Sequence, residues 1–121
     1  MIIVDSSVWI DHFRNADPVL IDALLTQRVL QHPMVTLELA LGSIPRRDAT
    51  LADLGLLPQA PLIEADKLLP FINQEALHGT GIGLIDAHLL ASARLSTGTR
   101  LWTRDKRLAA QSARLGLAFQ S

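Results

Sequence analysis

Short apolar runs alternate with helical segments along nearly the whole chain, and this alternation constrains the fold more than any other feature. No two apolar runs are joined by a two-residue turn of the kind that makes a hairpin. Strands separated by helices run parallel and are connected by right-handed crossovers. The sequence therefore predicts an α/β fold, a three-layer α/β/α sandwich around a mostly parallel central sheet of four or five strands. We place the strands at residues 2–4, 29–31, 62–63, 100–103 and 117–119.

Capping and turn residues divide the rest of the chain into helices. Ser6 or Ser7 can begin a first helix, the pair Asp17-Pro18 begins a second, and Thr36 begins a third that Gly42 closes. Pro70 must lie in the first turn of its helix or kink it. A chain of 121 residues suffices for one domain, which we expect to span residues 1–121. The helices after the first are predicted at residues 18–28, 37–41, 47–54, 65–77, 84–95 and 106–115.

Composition excludes several classes of protein. The absence of cysteine excludes a disulfide scaffold, a thiolate metal site and a cysteine nucleophile. No stretch of 18 residues is free of charge or turn residues, and Asp5 interrupts the apolar N-terminus, so we expect neither a membrane span nor a signal peptide but a cytoplasmic protein. The net charge of -1, from 11 basic and 12 acidic residues, is unusual for a nucleic-acid-binding protein, because these are normally basic.

Two acidic residues follow predicted strands. Asp5 comes directly after the first strand, and Asp105 comes two residues after Thr103. Ligands of open parallel sheets bind beyond the carboxyl ends of the strands, which is where these two side chains are expected to lie. Helix capping is the alternative for each, since each also precedes a helix.

Two further acids lie within apolar helical segments. Glu38 has apolar neighbours on both sides, and Asp86 lies on or beside the core-facing stripe that includes Leu89 and Leu90. For Asp86, stabilisation by the helix dipole is the alternative explanation. No Lys or Arg is close in sequence to Glu38 or Asp86.

Convergence of the four acids would require a cation. Two carboxylates about 5 Å apart repel each other by roughly 3 kcal/mol at an effective dielectric constant of about 20. An all-oxygen site favours Mg²⁺ or Mn²⁺ over zinc, and such ions on carboxylates serve phosphoryl chemistry. Thr103 and Ser7 add hydroxyls beside Asp105 and Asp5, suited to a metal-bound water or a phosphate, although each could equally be an ordinary strand or capping residue.

Four motifs are similar to those of a known family. The chain resembles the PIN-domain ribonucleases and, within them, the VapC toxins of prokaryotic toxin-antitoxin pairs. The resemblance implies that Asp5, Glu38, Asp86 and Asp105 form the acidic catalytic and metal-binding set, with Thr103 and Ser7 in support. The motifs are IVDSSVWI at residues 3–10, ELALG at 38–42, GIGLIDAHLLASA at 81–93 and LWTRDKRL at 101–108.

The resemblance also implies an activity and partners. The expected activity is Mg²⁺-dependent or Mn²⁺-dependent endonucleolytic cleavage of structured RNA, such as tRNA or the ribosomal sarcin-ricin loop, by attack of an activated water on the phosphodiester. A homodimer is expected, silenced by a VapB-like antitoxin that lays a segment along the active-site groove.

Basic residues surround one of the acids. Arg104, Lys106 and Arg107 flank Asp105 at a helix start, where positive side chains oppose the helix dipole. We expect them to contact RNA phosphates, with an ordinary solvated surface as the alternative. Outside the four proposed site acids, eight acidic residues remain against 11 basic ones, which gives an acidic pocket with a modestly basic surround.

Other readings of individual residues and of the whole chain remain. Gly79, Gly81 and Gly83 fit a tight turn better than a phosphate-binding loop, and His88 fits a packing or surface role. A catalytically inactive PIN-fold binding protein is the main alternative function, although the four acids are complete. A receiver-like phosphoacceptor domain is a remote one, because that fold needs adjacent acids where Asp5 is followed by two serines.

Overall fold

Seven helices and three strands alternate through residues 1–120, the part of the chain that this computed structural model describes. Within each crossover, at least one helix separates a strand from the next. The alternation that the sequence indicates is therefore confirmed. In chain order the elements are β1 (Ile2–Val4), α1 (Ser6–Arg14), α2 (Pro18–Leu25), β2 (Val29–Leu30), α3 (Pro33–Leu41), α4 (Arg47–Gly55), α5 (Ala65–Gln74), α6 (Leu84–Leu95), β3 (Arg100–Trp102) and α7 (Lys106–Arg114).

The strands form a parallel sheet in the order β2-β1-β3. Ile3 of the central strand β1 pairs with Leu30 on one side and with Leu101 on the other. The predicted α/β class and parallel sheet are thus confirmed. All three residues of β1 are buried, and they form a core with apolar residues of the helices, among them Leu20, Val35, Leu39, Leu89, Leu90 and Leu108.

The sheet has fewer strands than the four or five predicted. Two further segments each add a single parallel bridge, Gln59 to Gln31 and Ala118 to Leu101. The strand predicted at residues 62–63 was wrong, because pairing stops at Ala60, whose N–H donates to the Gln31 carbonyl at 2.7 Å. The next residue is a proline, which has no N–H with which to extend the ladder.

The helix boundaries differ from prediction mainly at α3. Its N-cap is His32, whose Nδ1 accepts a hydrogen bond from the Met34 N–H at 3.1 Å. Thr36, predicted as the cap, lies inside the helix, where its Oγ1 accepts from Gln31 Nε2 at 2.9 Å. The prediction failed because an imidazole nitrogen serves here as the acceptor in place of the usual hydroxyl or carboxylate.

The remaining helices follow the predicted positions. Helix α6 has the predicted bounds, whereas α2 and α5 each end three residues earlier than expected, and Pro70 lies inside α5. The main helix contacts join α1 to α3, α3 to α4, and α5 to α6, while α6 also contacts β3. No helix within residues 1–120 has both the length and the apolar character that crossing a membrane requires.

Candidate active site

Asp5 is a buried carboxylate at the carboxyl end of the central strand. Its side chain is 5% exposed, and its Oδ2 accepts hydrogen bonds from Ser7 Oγ at 2.6 Å and from Thr103 Oγ1 at 2.8 Å. Asp5, and not the predicted Ser6 or Ser7, occupies the N-cap position of α1, but its side chain accepts nothing from the amides of that helix. Helix capping therefore does not explain this carboxylate.

Ser7 and Thr103 form a hydroxyl pair around the same oxygen of Asp5. Ser7 Oγ accepts from the Arg104 backbone N–H at 3.0 Å, and Thr103 Oγ1 accepts from the Asp105 backbone N–H at 3.1 Å. Each hydroxyl has one hydrogen, so both are spent on Asp5, and the 3.4 Å approach of the two hydroxyls is a contact only. The orientation of the Asp5 carboxylate is consequently fixed through one oxygen.

Asp86 lies half-buried in the first turn of α6, at the same end of the sheet. Its Oδ2 accepts from the Gly83 backbone N–H at 3.2 Å. Burial raises the pKa of the Asp86 carboxyl, the Gly83 N–H acts in the opposite direction, and the charges of Asp5 and Asp105 raise it further. The Asp86 carboxylate is thus near enough to both Asp5 and Asp105 to be repelled by each of them.

Glu38 extends this acidic group from α3, where it is half-buried. Burial raises the pKa of the Glu38 carboxyl, and the charges of Asp5 and Asp86 raise it too, while the nearby Ser6 hydroxyl lowers it. Each of the four predicted acids therefore interacts electrostatically with at least one of the others. The structure brings them to one end of the sheet from β1, α3, α6 and the β3–α7 connection.

Asp105 is exposed and caps α7. Its Oδ1 accepts from the Leu108 backbone N–H at 2.9 Å, so the capping alternative is correct for this residue. Capping uses only one of the two carboxylate oxygens of Asp105. Asp5 and Asp86 likewise accept hydrogen bonds through one oxygen each. Within residues 1–120, the second carboxylate oxygen of each aspartate accepts no hydrogen bond.

The four acids offer the type of ligand atom that a hard divalent cation binds. The donor set consists of carboxylate oxygens that repel one another, and it contains no thiolate. Carboxylate oxygen is the donor type that Mg²⁺ and Mn²⁺ prefer. Among residues 1–120, however, no three Asp, Glu or His side chains are gathered closely enough to make a formed metal-binding group. The free aspartate oxygens are the atoms that an ion would draw together.

Arg104 lies beside the acids, but its guanidinium already binds two other carboxylates. It donates to Asp11 Oδ2 at 2.6 Å and to Asp17 Oδ2 at 2.5 Å, and it lies 5.9 Å from the Trp102 ring centroid. These ion pairs raise the pKa of Arg104. Sequence spacing gave no signal for this pairing, because both aspartates are more than 80 residues away along the chain.

Lys106 and Arg107 are exposed next to Asp105, as a phosphate-binding role requires. The Arg107 side chain lies across Gly81, where an added Cβ would be 2.9 Å from Arg107 Cδ. Gly81 also has a φ of +85°, in agreement with the predicted tight turn. The Gly81–Arg107 contact was missed, since nothing in the sequence relates the two positions.

His88 is a packing residue, one of the two roles expected for it. It is buried, and its Nδ1 has no hydrogen-bond partner among residues 1–120. Burial lowers its pKa. Its neighbour in the core, His32, was missed as a cap of α3, and its position directly before Pro33 is the only sequence signal that could have identified it.

Known proteins match the chain over nearly its whole length. Residues 2–113 match the PIN domain family. Ribonuclease VapC32 of Mycobacterium tuberculosis, from two strains, is 48% identical over 119 residues, which cover 98% of this chain and 96% of the relative. The crystal structure of PAE2754 from Pyrobaculum aerophilum has a TM-score of 0.61 and 18% identity, covers 95% of this chain and 88% of that one, and supports the fold alone.

Proposed function

Because the chain belongs to the PIN-domain family and is a VapC-type ribonuclease, we propose that it is an endoribonuclease whose divalent-metal site is formed by Asp5, Glu38, Asp86 and Asp105. The observation that carries the proposal is the convergence of these acids from four separate parts of the chain, where burial and the charges of neighbouring acids raise the pKa of Glu38 and of Asp86. None of the four acids forms an ion pair with Lys or Arg among residues 1–120, and a bound divalent ion stabilises such a cluster of carboxylates. Mg²⁺ is the proposed ion, with Mn²⁺ as a substitute.

The protein residues orient the donors. The free oxygens of the three aspartates and the carboxylate of Glu38 would hold the ion, which when bound would supply an activated water and a countercharge for the attacked phosphate. Thr103 and Ser7 hold Asp5 by its other oxygen and so fix the plane of its carboxylate. Thr103 therefore contributes to the proposed catalytic group by orienting Asp5, and Ser7 orients Asp5 in the same way.

The RNA backbone would lie along the basic residues beside Asp105. Lys106 and Arg107 are exposed, and their charges attract phosphates in a salt-dependent manner. Arg104 would contact RNA by exchanging Asp11 or Asp17 for a phosphate, since its guanidinium is half-exposed. Structured RNA, tRNA or rRNA, is the proposed substrate, because phosphate contacts and shape can select it without base stacking on aromatic residues.

We further propose that the protein is the toxin of a toxin-antitoxin pair, acting in the cytoplasm as a homodimer of single domains that span residues 1–121. The VapC name of its relative supports a VapB-like antitoxin as partner. Exposed leucines also support a protein partner: Leu37 and Leu41 of α3 are 64% and 91% exposed, on the helix that carries Glu38.

The test is RNA cleavage by the purified protein, free of its partner. With Mg²⁺ or Mn²⁺ the wild type should cut RNA internally and leave 5′-phosphate ends, and Asp5→Asn should abolish cutting. Asp66→Asn is the matched control, because Asp66 is an exposed acid in the first turn of α5. Cleavage that survives both chelation and Asp5→Asn would refute the metal site.

The toxin role and the inactive alternative have separate readouts. Induced expression should arrest growth, and co-expression of a small protein encoded beside it should relieve the arrest. A catalytically inactive binding protein would instead bind RNA or its partner protein and leave RNA uncut at every metal concentration.

A further inference from the structure

A chain of hydrogen bonds, buried at His32 and Ser92, joins the start of α3 to α6. His32 Nε2 lies 2.9 Å from Ser92 Oγ, and Ser92 Oγ lies 2.7 Å from the Pro61 carbonyl oxygen. His32 and Ser92 are both 0% exposed. The proposed catalytic chemistry uses neither residue.

The directions of these hydrogen bonds follow from one another. His32 Nδ1 accepts from the Met34 N–H, so in the neutral ring the hydrogen lies on Nε2 and is donated to Ser92 Oγ. The Ser92 hydroxyl then donates its own hydrogen to the Pro61 carbonyl. Each hydrogen in these three hydrogen bonds has one acceptor, so the direction of every bond is defined.

The two side chains in this hydrogen-bond chain, His32 and Ser92, belong to helices that each carry a proposed metal ligand. His32 caps α3, where Glu38 lies one turn beyond Met34, and Ser92 lies on α6, which begins with Asp86 in its first turn. The main packing partners of α3 are α1 and α4, whereas those of α6 are α5 and β3. Both helices contribute to the same hydrophobic core, but neither is among the other's main packing partners, so the His32–Ser92 hydrogen bond is a direct polar link between them.

We propose that His32 and Ser92 are positioning residues that set the separation of Glu38 and Asp86 and thereby the affinity of the site for its divalent ion. This inference rests on the proposed metal-dependent function. Removal of the Ser92 hydroxyl leaves the His32 Nε2–H buried without an acceptor and takes the donor from the Pro61 carbonyl, a loss that the helices relieve by shifting or by admitting water. Mg²⁺ requires near-ideal octahedral geometry, so a shift of either helix weakens its binding.

The chain offers a matched pair of serines for the test. Ser112 is also 0% exposed and helical, but its Oγ donates to the Leu108 carbonyl of the same helix at 2.8 Å. Ser92→Ala and Ser112→Ala therefore remove the same buried group, and only the first breaks a link between helices. Mn²⁺ binding is measured by calorimetry, and the Mn²⁺ concentration for half-maximal RNA cleavage is measured beside it.

Ser92→Ala should weaken Mn²⁺ binding about tenfold, the lower end of the range for residues that orient metal ligands. The half-saturating Mn²⁺ concentration should rise in parallel, with kcat at saturating Mn²⁺ nearly unchanged. Ser112→Ala should leave both quantities at the wild-type value.

His32→Asn is the second variant and decides the test if Ser92→Ala does not fold. The asparagine Oδ1 can still cap α3, but its shorter side chain cannot reach Ser92. It should weaken Mn²⁺ binding as Ser92→Ala does, and the double variant should weaken it no further, because both changes break one interaction.

Equal effects of Ser92→Ala and Ser112→Ala on Mn²⁺ affinity would overturn the inference, and so would loss of thermal stability with unchanged Mn²⁺ affinity. A wild-type protein that binds no Mn²⁺ would overturn the proposed metal site itself and this inference with it. The two failures are thus distinguished by the wild-type titration.

Discussion

The hydroxyl of Thr103 donates to Oδ2 of Asp5 at 2.8 Å, across 98 positions of the sequence. This bond joins the carboxyl ends of β1 and β3, two neighbouring strands of the sheet. Because Ser7 donates to the same oxygen, two hydroxyls bind Oδ2 of the buried carboxylate, and its Oδ1 has no hydrogen-bond donor among residues 1–120.

Thr103→Val should reduce RNA cleavage, although valine and threonine have nearly the same shape. The substitution keeps the side-chain volume but removes a hydrogen bond to a charged group, a loss of about 1.5–3 kcal/mol. If the carboxylate is oriented mainly by this bond, the rate should fall roughly 10- to 100-fold. Single-turnover cleavage measures the effect, with Thr103→Ser as the control that keeps the hydroxyl. Equal rates for the two variants would contradict the role given to Thr103.

Asp11→Asn should strengthen RNA binding. The change weakens one of the two ion pairs of Arg104 and so frees its guanidinium for a phosphate. Binding is measured at low salt in the Asp5→Asn background, where RNA should remain intact. Asp22→Asn is the control, because it releases Arg28 from an exposed ion pair elsewhere. Unchanged affinity in Asp11→Asn would show that Arg104 does not contact RNA.

Gly81→Ala should displace Arg107 and weaken RNA binding. The new Cβ would meet the Arg107 side chain at 2.9 Å, and that flexible side chain can swing away. Both Gly81 and Gly79 have positive φ, so alanine should destabilise either position by about 1 kcal/mol. Gly79→Ala faces open space and is the control for this strain.

Two measurements separate these effects. Denaturant unfolding should show similar losses of stability for the two glycine variants. Only Gly81→Ala should lower RNA affinity and flatten its dependence on salt. Equal RNA affinities would remove Arg107 from the proposed RNA-binding surface.

His32 should make the stability of the fold depend on pH. Burial, and then the charge of His88, lower the pKa of His32 from its ordinary value of 6.5 to about 4. Between these two values the unfolded chain binds the proton and the folded chain does not, so the free energy of unfolding falls as the pH falls. The full contribution, on the order of 3 kcal/mol, is present above pH 6.5 and is lost on acidification to about pH 4.

Urea unfolding of wild type and His32→Asn at pH 7.5 and at pH 4.5 checks this expectation. Wild type should lose more stability between the two pH values than the variant, in which residue 32 does not titrate. Parallel losses would mean that His32 does not carry the pH dependence.

The sequence sufficed for the fold class and for the residues that meet at the end of the sheet. Strand-ending acids were informative because parallel strands bring their carboxyl ends together, whatever the loops between them do. Asp5 and Asp105 looked alike as caps, yet only Asp105 caps its helix. The difference depends on the hydroxyls of Ser7 and Thr103, and the second of these becomes a neighbour of Asp5 only when β1 and β3 pair.

What the sequence could not predict depends on contacts between distant side chains. Arg104 was expected to face RNA, and its pairing with Asp11 and Asp17 requires the relative placement of α1, α2 and the β3–α7 connection. His32 as a cap of α3 depends on burial against α6, where Ser92 binds the other ring nitrogen. Local patterns contain no information about such pairs.

The position of β1 between β2 and β3 also has a consequence for synthesis of the protein on the ribosome. Residues 2–4 are translated early, but their second neighbouring strand is translated about a hundred residues later. A nascent chain that has reached only α6 holds Asp5, Glu38 and Asp86, yet it lacks both Thr103 and Asp105. Ribonuclease activity should therefore arise only after residues 103–105 have been translated and β3 has paired with β1.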